Sequence, residues 1–175
     1  MPTDRAAPLV TSRLALRRLT EADAPFMLRL LNEPSWLRFI GDRGVRTLDE
    51  AAAYLAKGPI DMYQRLGFGL LLVERTLDGA ALGICGLIKR DTLPDVDLGF
   101  AFLPEHWGRG YAVEAAAAVL AAAARDAGLR RVVAITSLDN ERSIRLLEKL
   151  GFRFDRLIGG PDGAQLRLFA VALPG

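Results

Sequence analysis

The alternation of hydrophobic and polar positions divides the chain into segments with two different periods. A spacing of two, or a short unbroken apolar run, predicts a β-strand, whereas a spacing of three to four predicts a helix. The predicted strands cover residues 13–18, 68–74, 81–90, 96–102, 131–136, 153–158 and 166–172. The predicted helices cover residues 20–32, 47–55, 60–66, 113–127 and 141–150.

Proline and glycine mark the ends of several of these segments. Pro34 ends the first helix, and the segment after it is a loop or a short helix. Gly58-Pro59 interrupts the next helical region. Gly128 and Gly151 follow the last two helices, where each is expected to adopt the left-handed conformation that closes a helix.

The order of these elements is strand, helices, a three-strand meander, helix, strand, helix and a final hairpin. This order predicts an α/β fold, a mixed layer with helices on both faces of the sheet. A length of 175 residues fits one domain. We place that domain at residues 9–175, after a loose N-terminal arm of residues 1–8.

Composition narrows the classes of function. Hydrophobic residues make up 51% of the chain and charged residues 25%, as in ordinary globular proteins. The net charge of +2 is too small to imply a nucleic-acid partner. No signal peptide or membrane span is predicted, because the apolar stretch 115–124 is too short to cross a bilayer. The single cysteine, Cys85, lies in an apolar run as a core thiol and fits the reducing cytoplasm.

The start of the alanine-rich helix is unusual, because it lacks the Ser, Thr, Asp or Asn that normally caps a helix. Gly108, Arg109 and Gly110 stand there instead. Free amides at a helix N-terminus form an anion site, and glycines allow a ligand to approach the backbone closely. Arg109 adds a fixed positive charge suited to phosphate. The residues alone leave two interpretations level: a phosphate-binding turn, or a tight connection whose amides are hydrated.

Two familiar phosphate loops are excluded. There is no Gly-Lys-Ser/Thr, so the turn is not the P-loop of nucleotide triphosphatases. A dinucleotide-binding fingerprint would need a third glycine where Val113 stands.

The turn resembles the pyrophosphate loop of the GNAT superfamily of acyl-CoA-dependent N-acyltransferases. The family pattern is Gln/Arg-x-x-Gly-x-Gly/Ala; Gly110 and Ala112 fall on it, while Trp107 replaces the first Gln/Arg. Residues 140–152 are similar to the pattern Asn-x-x-Ser-x-x-Leu-Leu-x-Lys-x-Gly-Phe of the RimJ/RimL-like branch, which acetylates protein N-termini and small amines. The resemblance extends, more weakly, over residues 11–173.

This resemblance implies a central, mostly antiparallel sheet of about seven strands in a GNAT-like fold. The strands at residues 96–102 and 131–136 would splay apart, and acetyl-CoA would enter the gap between them without a metal. The implied cofactor contacts are Phe102, Leu103, Trp107, Gly108, Arg109, Gly110, Tyr111, Ala112, Asn140 and Ser143.

Three kinds of cofactor contact are implied. Amides of residues 108–112 would bind the pyrophosphate. The backbone at Phe102 and Leu103 would pair with the pantetheine arm as an added strand would. Asn140 would hydrogen-bond the same arm, and it also suits a plain helix N-cap.

Acetyl transfer needs a base for the amine and a proton for the leaving thiolate. Asp97 falls where the branch often has an acidic strand residue, which makes it the implied base, acting through a water. The alternative is a carboxylate exposed at a sheet edge. Many relatives have a tyrosine acid where Leu147 stands, so Ser143 remains as a stabilising or relaying hydroxyl, or as a plain first-turn serine. The lone His106 directly precedes the turn and is expected to be structural or to lie near the cofactor, not to act as the base.

The acceptor wall in the family usually comes from the early helical region, which here supplies Glu33, Trp36, Phe39 and Tyr54. The resemblance implies an N-acetyltransferase that acts on a primary amine of a protein N-terminus or a small molecule, as a monomer or homodimer. Because Leu147 cannot donate a proton, a non-catalytic acyl-CoA-binding module stays open as an alternative. Another phosphate ligand, such as a nucleotide, is a weaker one.

Overall fold

The computed structural model describes residues 6–175, so residues 1–5 of the predicted arm lie outside the described part, and residues 6–8 have no regular secondary structure. Eight strands are present: β1 (Leu9–Val10), β2 (Leu14–Arg18), β3 (Leu70–Arg75), β4 (Ala81–Ile88), β5 (Asp97–Phe102), β6 (Arg131–Ser137), β7 (Arg153–Gly159) and β8 (Gln165–Ala172). They form one sheet in the order β1-β2-β3-β4-β5-β6-β8-β7, in which only β5 and β6 are parallel. The strand missing from the predicted set is β1, which is too short to show a period.

The helices are α1 (Ala24–Leu31), α2 (Pro34–Phe39), α3 (Leu48–Leu55), α4 (Asp61–Leu66), α5 (Tyr111–Asp126) and α6 (Glu141–Lys149). Pro34 follows the end of α1 and is the first residue of α2, because proline suits the first helical position. The predicted interruption at Pro59 is instead a π-helical turn, Ala56–Ile60, that joins α3 to α4. Gly128 and Gly151 have φ values of +64° and +92°, which confirms the two predicted helix ends.

Helices cover both faces of the sheet, as predicted. The alanine-rich face of α5 packs on one side against Cys85, Leu98 and Phe102. The helices α1–α3 pack on the other side against a core that includes Leu72 and Ile84. Cys85 is fully buried, and burial raises the pKa of its thiol, so it is a core residue. Among residues 6–175, no helix is both long and apolar enough to span a bilayer.

The sheet opens between β5 and β6. These strands pair at one position only, Asp97 opposite Val133. Beyond that pair β6 continues alongside β8, with Ser137 opposite Leu166, while β5 remains paired with β4 as far as Phe102. The predicted splaying of these two strands is therefore confirmed, and it leaves a gap in the middle of the sheet.

A clamp of polar groups ties the first turn of α5 to the chain between β1 and β2. The Glu114 carboxylate accepts hydrogen bonds from the Thr11 hydroxyl at 2.5 Å, the Arg13 amide at 3.1 Å and the Arg13 Nε at 2.8 Å. Arg13 Nη1 also donates to the Arg109 carbonyl at 3.0 Å. A carboxylate is favourable in the first turn of a helix, because it interacts with the positive end of the helix dipole. Glu114 therefore stabilises α5 and also fixes its position relative to β1 and β2.

We predict that Glu114→Ala lowers the free energy of unfolding by about 1–3 kcal/mol at neutral pH, because three donors of the clamp lose a charged acceptor. Urea denaturation measures this loss, with the exposed Glu148→Ala on α6 as the control. Burial raises the pKa of Glu114, but the hydrogen bonds from Thr11 and Arg13 outweigh it and hold the pKa below its usual value. The stabilisation is therefore lost as the pH falls through that lowered pKa. Equal stability of both variants at pH 7 would contradict the clamp.

Candidate active site

The gap between β5 and β6 opens into a cavity of about 780 Å³. Most of the residues predicted from the sequence line it: Glu33, Trp36, Phe39, Tyr54, Asp97, Phe102, Trp107, Ala112, Asn140 and Ser143. The other predicted residues do not line it: Leu103, Gly108, Arg109, Gly110 and Tyr111. Apart from Leu103, these belong to the turn that leads directly to Ala112, at the edge of the cavity.

That turn is uncapped, as predicted. Gly108 and Gly110 have φ values of +76° and +80°, a left-handed conformation that disfavours other residues. Gly110 occupies the N-cap position of α5, and no side chain caps the helix. Within residues 6–175, the amides of residues 108–112 donate no hydrogen bond to a side chain or to a carbonyl outside the helix. Free amides at the positive end of a 16-residue helix form an anion site.

Basic side chains surround this turn. Arg109 is exposed and forms no ion pair in the described part of the chain. The Arg142 guanidinium, at the start of α6, stacks 4.6 Å from the centre of the Trp107 ring. Trp107 replaces the Gln/Arg of the family pattern, so this stacking brings a positive charge to that position from another helix. This contact could not be predicted from the sequence, because the two residues are distant along the chain.

The Tyr111 side chain points away from the main cavity. Its ring lies 4.4 Å from the Arg13 guanidinium and lines a separate cavity of about 390 Å³ with Arg75. Only the backbone of Tyr111 is left for a ligand in the β5–β6 gap.

The end of β5 offers fewer backbone groups than expected. The Leu103 amide donates to the Leu82 carbonyl at 3.0 Å, so it faces β4 and not the gap. The Phe102 carbonyl accepts a hydrogen bond of 2.9 Å from the Trp107 indole. Because alternate residues of a strand address opposite neighbours, the Phe102 amide faces the gap. The structure thus narrows the expected backbone contact from Phe102 and Leu103 to the Phe102 amide.

The start of α6 combines the two expected roles of Asn140. Its side-chain oxygen accepts a hydrogen bond of 3.3 Å from the Ser143 amide, which is the expected helix cap. Its NH₂ group has no partner among the described residues, so it is available to a ligand. Leu147 is completely buried in the core under α5, and Ser143 is the half-buried hydroxyl that lines the cavity.

Thr136 on β6 is a residue that the sequence analysis missed. It lines the cavity, is only 6% exposed, and its hydroxyl has no hydrogen-bond partner in the described structure. Its neighbours Val132 and Ala134, on the same face of β6, pack towards α5, so Thr136 faces the α5–α6 side of the sheet. A lone threonine in a strand carries no signal in the sequence that separates it from an ordinary β-branched residue.

Asp97 is the most deeply buried of the carboxyl groups that line the cavity. It is 1% exposed, so the alternative of a solvent-exposed edge carboxylate is wrong. Its Oδ2 accepts a hydrogen bond of 2.9 Å from Arg90 Nε, and its Oδ1 has no partner among residues 6–175. Burial raises the pKa of Asp97, and the lowering effects of Arg90 and Lys89 do not cancel it. A carboxyl with a raised pKa and one free oxygen can act as a general base.

The residues expected for the acceptor lie on the α1–α4 side of the sheet. Glu33 precedes α2, Trp36 and Phe39 belong to α2, and Tyr54 belongs to α3. Asp97 faces the same side, because Val133, its partner across the strands, points away from the α5 core. The cavity therefore has a cofactor wall on the α5–α6 side of the sheet and an acceptor wall on the α1–α4 side, with β5 between the two walls.

His106 directly precedes the turn at the start of α5, so both alternatives expected for it, a structural role and a position near the cofactor, stay open. It does not line the cavity, and burial lowers its pKa despite the opposing effect of Glu105. No group of three or more His, Cys, Asp or Glu suited to a metal is found among residues 6–175.

Comparison with known proteins agrees with this architecture. A family model described as the acetyltransferase (GNAT) domain matches residues 13–153. The Bacillus subtilis (strain 168) protein named "Uncharacterized N-acetyltransferase YoaA" is 26% identical over 147 residues, which are 83% of this chain and 82% of that protein. An acetyltransferase from Agrobacterium tumefaciens str. C58 has a crystal structure with a TM-score of 0.80 and 27% identity, covering 95% of this chain and 94% of that chain.

A further solved structure shares the fold alone. RimL, a ribosomal L7/L12 alpha-N-protein acetyltransferase in complex with coenzyme A, matches with a TM-score of 0.81 at 18% identity, over 95% of this chain and 98% of that chain. The family match covers most of the chain, and both the fold and the open strand pair agree with it. The chain therefore belongs to the GNAT acetyltransferase family and is an N-acetyltransferase.

Proposed function

We propose that the protein transfers the acetyl group of acetyl-CoA directly to the primary amine of a protein N-terminus or a small molecule, in a ternary complex. The observation that carries this proposal is the row of unpartnered amides at the start of α5, next to a cavity that holds a buried carboxylate on its opposite wall. The matching positions in residues 140–152 favour the RimJ/RimL-like branch. The RimL complex supports coenzyme A as the ligand of this fold.

The proposed cofactor site runs along the gap from the α5 turn to β6. Amides of residues 108–112 bind the pyrophosphate, with Arg109 and Arg142 as nearby cations. The Phe102 amide, the Asn140 NH₂ group and the Thr136 hydroxyl have no hydrogen-bond partner among the described residues, and each would hydrogen-bond the pantetheine arm. Acetyl-CoA supplies the acetyl thioester when it is bound there.

The proposed proton path uses both walls. Asp97 accepts the proton that the acceptor ammonium must lose, directly or through a water, so that the neutral amine can attack the thioester carbonyl. As the new C–N bond forms and the C–S bond breaks, the nitrogen loses a second proton and the thiolate gains one. Ser143, on the first turn of α6, lines the cavity and would stabilise the thiolate or relay that proton through water, because Leu147 has no proton to give.

Some expectations stay predictions. A cytoplasmic location and a monomeric or homodimeric state follow from the resemblance and the composition.

The non-catalytic alternative is favoured only by the buried Leu147, and measuring thiol release with a panel of amines separates it from the enzyme. Tight coenzyme A binding without amine-dependent thiol release would favour the binding module.

We predict that Gly110→Glu lowers the affinity for coenzyme A by roughly 100-fold or more, because a carboxylate next to the amides repels the pyrophosphate. Calorimetric titration measures the affinity. Gly128→Glu is the matched control, since Gly128 has a similar φ of +64° and lies at the other end of α5. The control shares the strain of a left-handed residue but should bind normally. Equal affinity in both variants would place the phosphates elsewhere.

We predict that Asp97→Asn lowers kcat on the order of 100-fold while the affinity for coenzyme A is unchanged, because the amide cannot accept the amine proton. Asp95→Asn, two residues away and outside the cavity, is the control. Because the pKa of Asp97 is raised, acidification should lower wild-type activity already at a pH above the range in which carboxyl groups usually titrate. Asp97→Asn should not show this fall in activity. A variant with wild-type turnover and pH profile would exclude Asp97 as the base.

We predict that Thr136→Val weakens coenzyme A binding by roughly threefold to tenfold, the effect of one hydrogen bond. Binding of ADP should be unchanged, because ADP has the diphosphate but no pantetheine arm. The free energy of unfolding without ligand should not fall, since the hydroxyl has no partner to lose. Equal weakening of both ligands, or of neither, would argue against a contact between Thr136 and the arm.

A further inference from the structure

The acceptor side of the cavity has balanced charges. All four carboxylates that line the cavity lie close to an arginine: Asp97 at 2.9 Å from Arg90, Glu33 at 3.6 Å from Arg29, Asp139 at 3.3 Å from Arg38 and Glu141 at 3.1 Å from Arg145. Arg43 also lines the cavity, is exposed, and forms no ion pair in the described part of the chain. A polyamine carries several positive charges and needs several free carboxylates. This wall does not supply them, so it is built for an acceptor with few charges.

The same wall is largely apolar. Trp36 and Phe39 on α2, Tyr54 on α3 and Met62 on α4 line it together with Ile84 of the sheet. Small-molecule sites of this kind recognise an apolar body and use a few polar groups for orientation. The non-reacting part of the acceptor is therefore apolar.

One polar group on this wall has no partner. The Trp36 indole N–H is buried, with the residue 5% exposed, and it donates to no acceptor among residues 6–175. An indole nitrogen can only donate, and a buried donor without an acceptor is costly. Trp36 lines the cavity, and a ligand atom that reaches this N–H from the cavity would supply the missing acceptor.

We propose that the acceptor is a primary amine next to a carbonyl group on an apolar side chain, as in amino-acid amides and peptides with an apolar first residue, and that Trp36 Nε1 donates to this carbonyl. The proposal rests on the proposed acetyl transfer and assigns Trp36 as a residue that determines its specificity. It places the reacting amine at Asp97, the carbonyl at Trp36 and the apolar side chain among the aromatic residues.

Two amines that differ by one group test this proposal: phenylalanine amide, and 2-phenylethylamine, which lacks the carboxamide. Thiol release from acetyl-CoA gives kcat/KM for each, with wild type and with Trp36→Phe, which keeps a ring but removes the donor. The variant should lower kcat/KM for phenylalanine amide by roughly threefold to tenfold more than for 2-phenylethylamine, because both amines meet the smaller ring but only the amide loses a hydrogen bond. The informative quantity is the change in kcat/KM from wild type to Trp36→Phe for each amine. A direct comparison of the two amines is not sufficient, because the carboxamide also changes the pKa of the amine itself. Spermidine should be a poor acceptor for both proteins.

A measurement on the wild-type protein covers the case in which Trp36→Phe does not fold. The chain has two tryptophans, Trp36 and Trp107, so its ¹⁵N spectrum has two indole N–H signals. Trp107→Phe assigns them. With coenzyme A present, phenylalanine amide should shift the Trp36 signal downfield, and 2-phenylethylamine should not.

The possible results distinguish a wrong acceptor class from the absence of acetyl transfer. Equal loss for both amines in Trp36→Phe, an unmoved Trp36 signal, or a preference for spermidine overturns the acceptor class while acetyl transfer stands. Coenzyme A binding without thiol release for any amine overturns the transfer itself, and the acceptor class with it.

Discussion

The organisation of the site depends on backbone amides that the protein leaves without partners. The first turn of a helix cannot satisfy its own N–H groups, and most helices use a side-chain cap to do so. Here two left-handed glycines replace the cap, and Glu114, which could have served the turn, is instead bound by Thr11 and Arg13. The consequence is a rigid set of donors at the positive end of α5, held in place from the β1–β2 side.

The open strand pair turns this anion site into an active site. Because β5 and β6 separate after the pair of Asp97 and Val133, a ligand can pass from the α5 side of the sheet to the α1–α4 side. Unpartnered polar atoms lie on both sides: the Thr136 hydroxyl, and the Asp97 oxygen with the Trp36 indole. Each buried group of this kind costs about 1–3 kcal/mol in the free protein. A ligand that satisfies these groups recovers that cost. The free protein is thus less stable so that the site can bind its ligands, a common conflict between stability and function at active sites.

The sequence predicted the features that depend on local chemistry. The missing cap before α5, the Asn140 cap of α6 and the glycine helix ends depend on a few adjacent residues, and all are confirmed. The resemblance to the GNAT family supplied the splayed strands and the position of Asp97. Features that depend on contacts between distant segments were missed, such as the stacking of Arg142 on Trp107 and the pairing of Arg90 with Asp97. The Leu103 amide was misjudged because strand parity, fixed by the register with β4, decides which neighbour an amide faces.

The most direct test of the central claim is to follow the amide resonances of residues 108–112 in ¹⁵N-labelled protein during titration with coenzyme A. We expect large, saturable downfield shifts of these amides, reproduced by ADP, which shares the diphosphate, and not by pantetheine, which lacks it. Binding of coenzyme A that leaves these amide resonances in place would contradict the claim that the start of α5 holds the pyrophosphate.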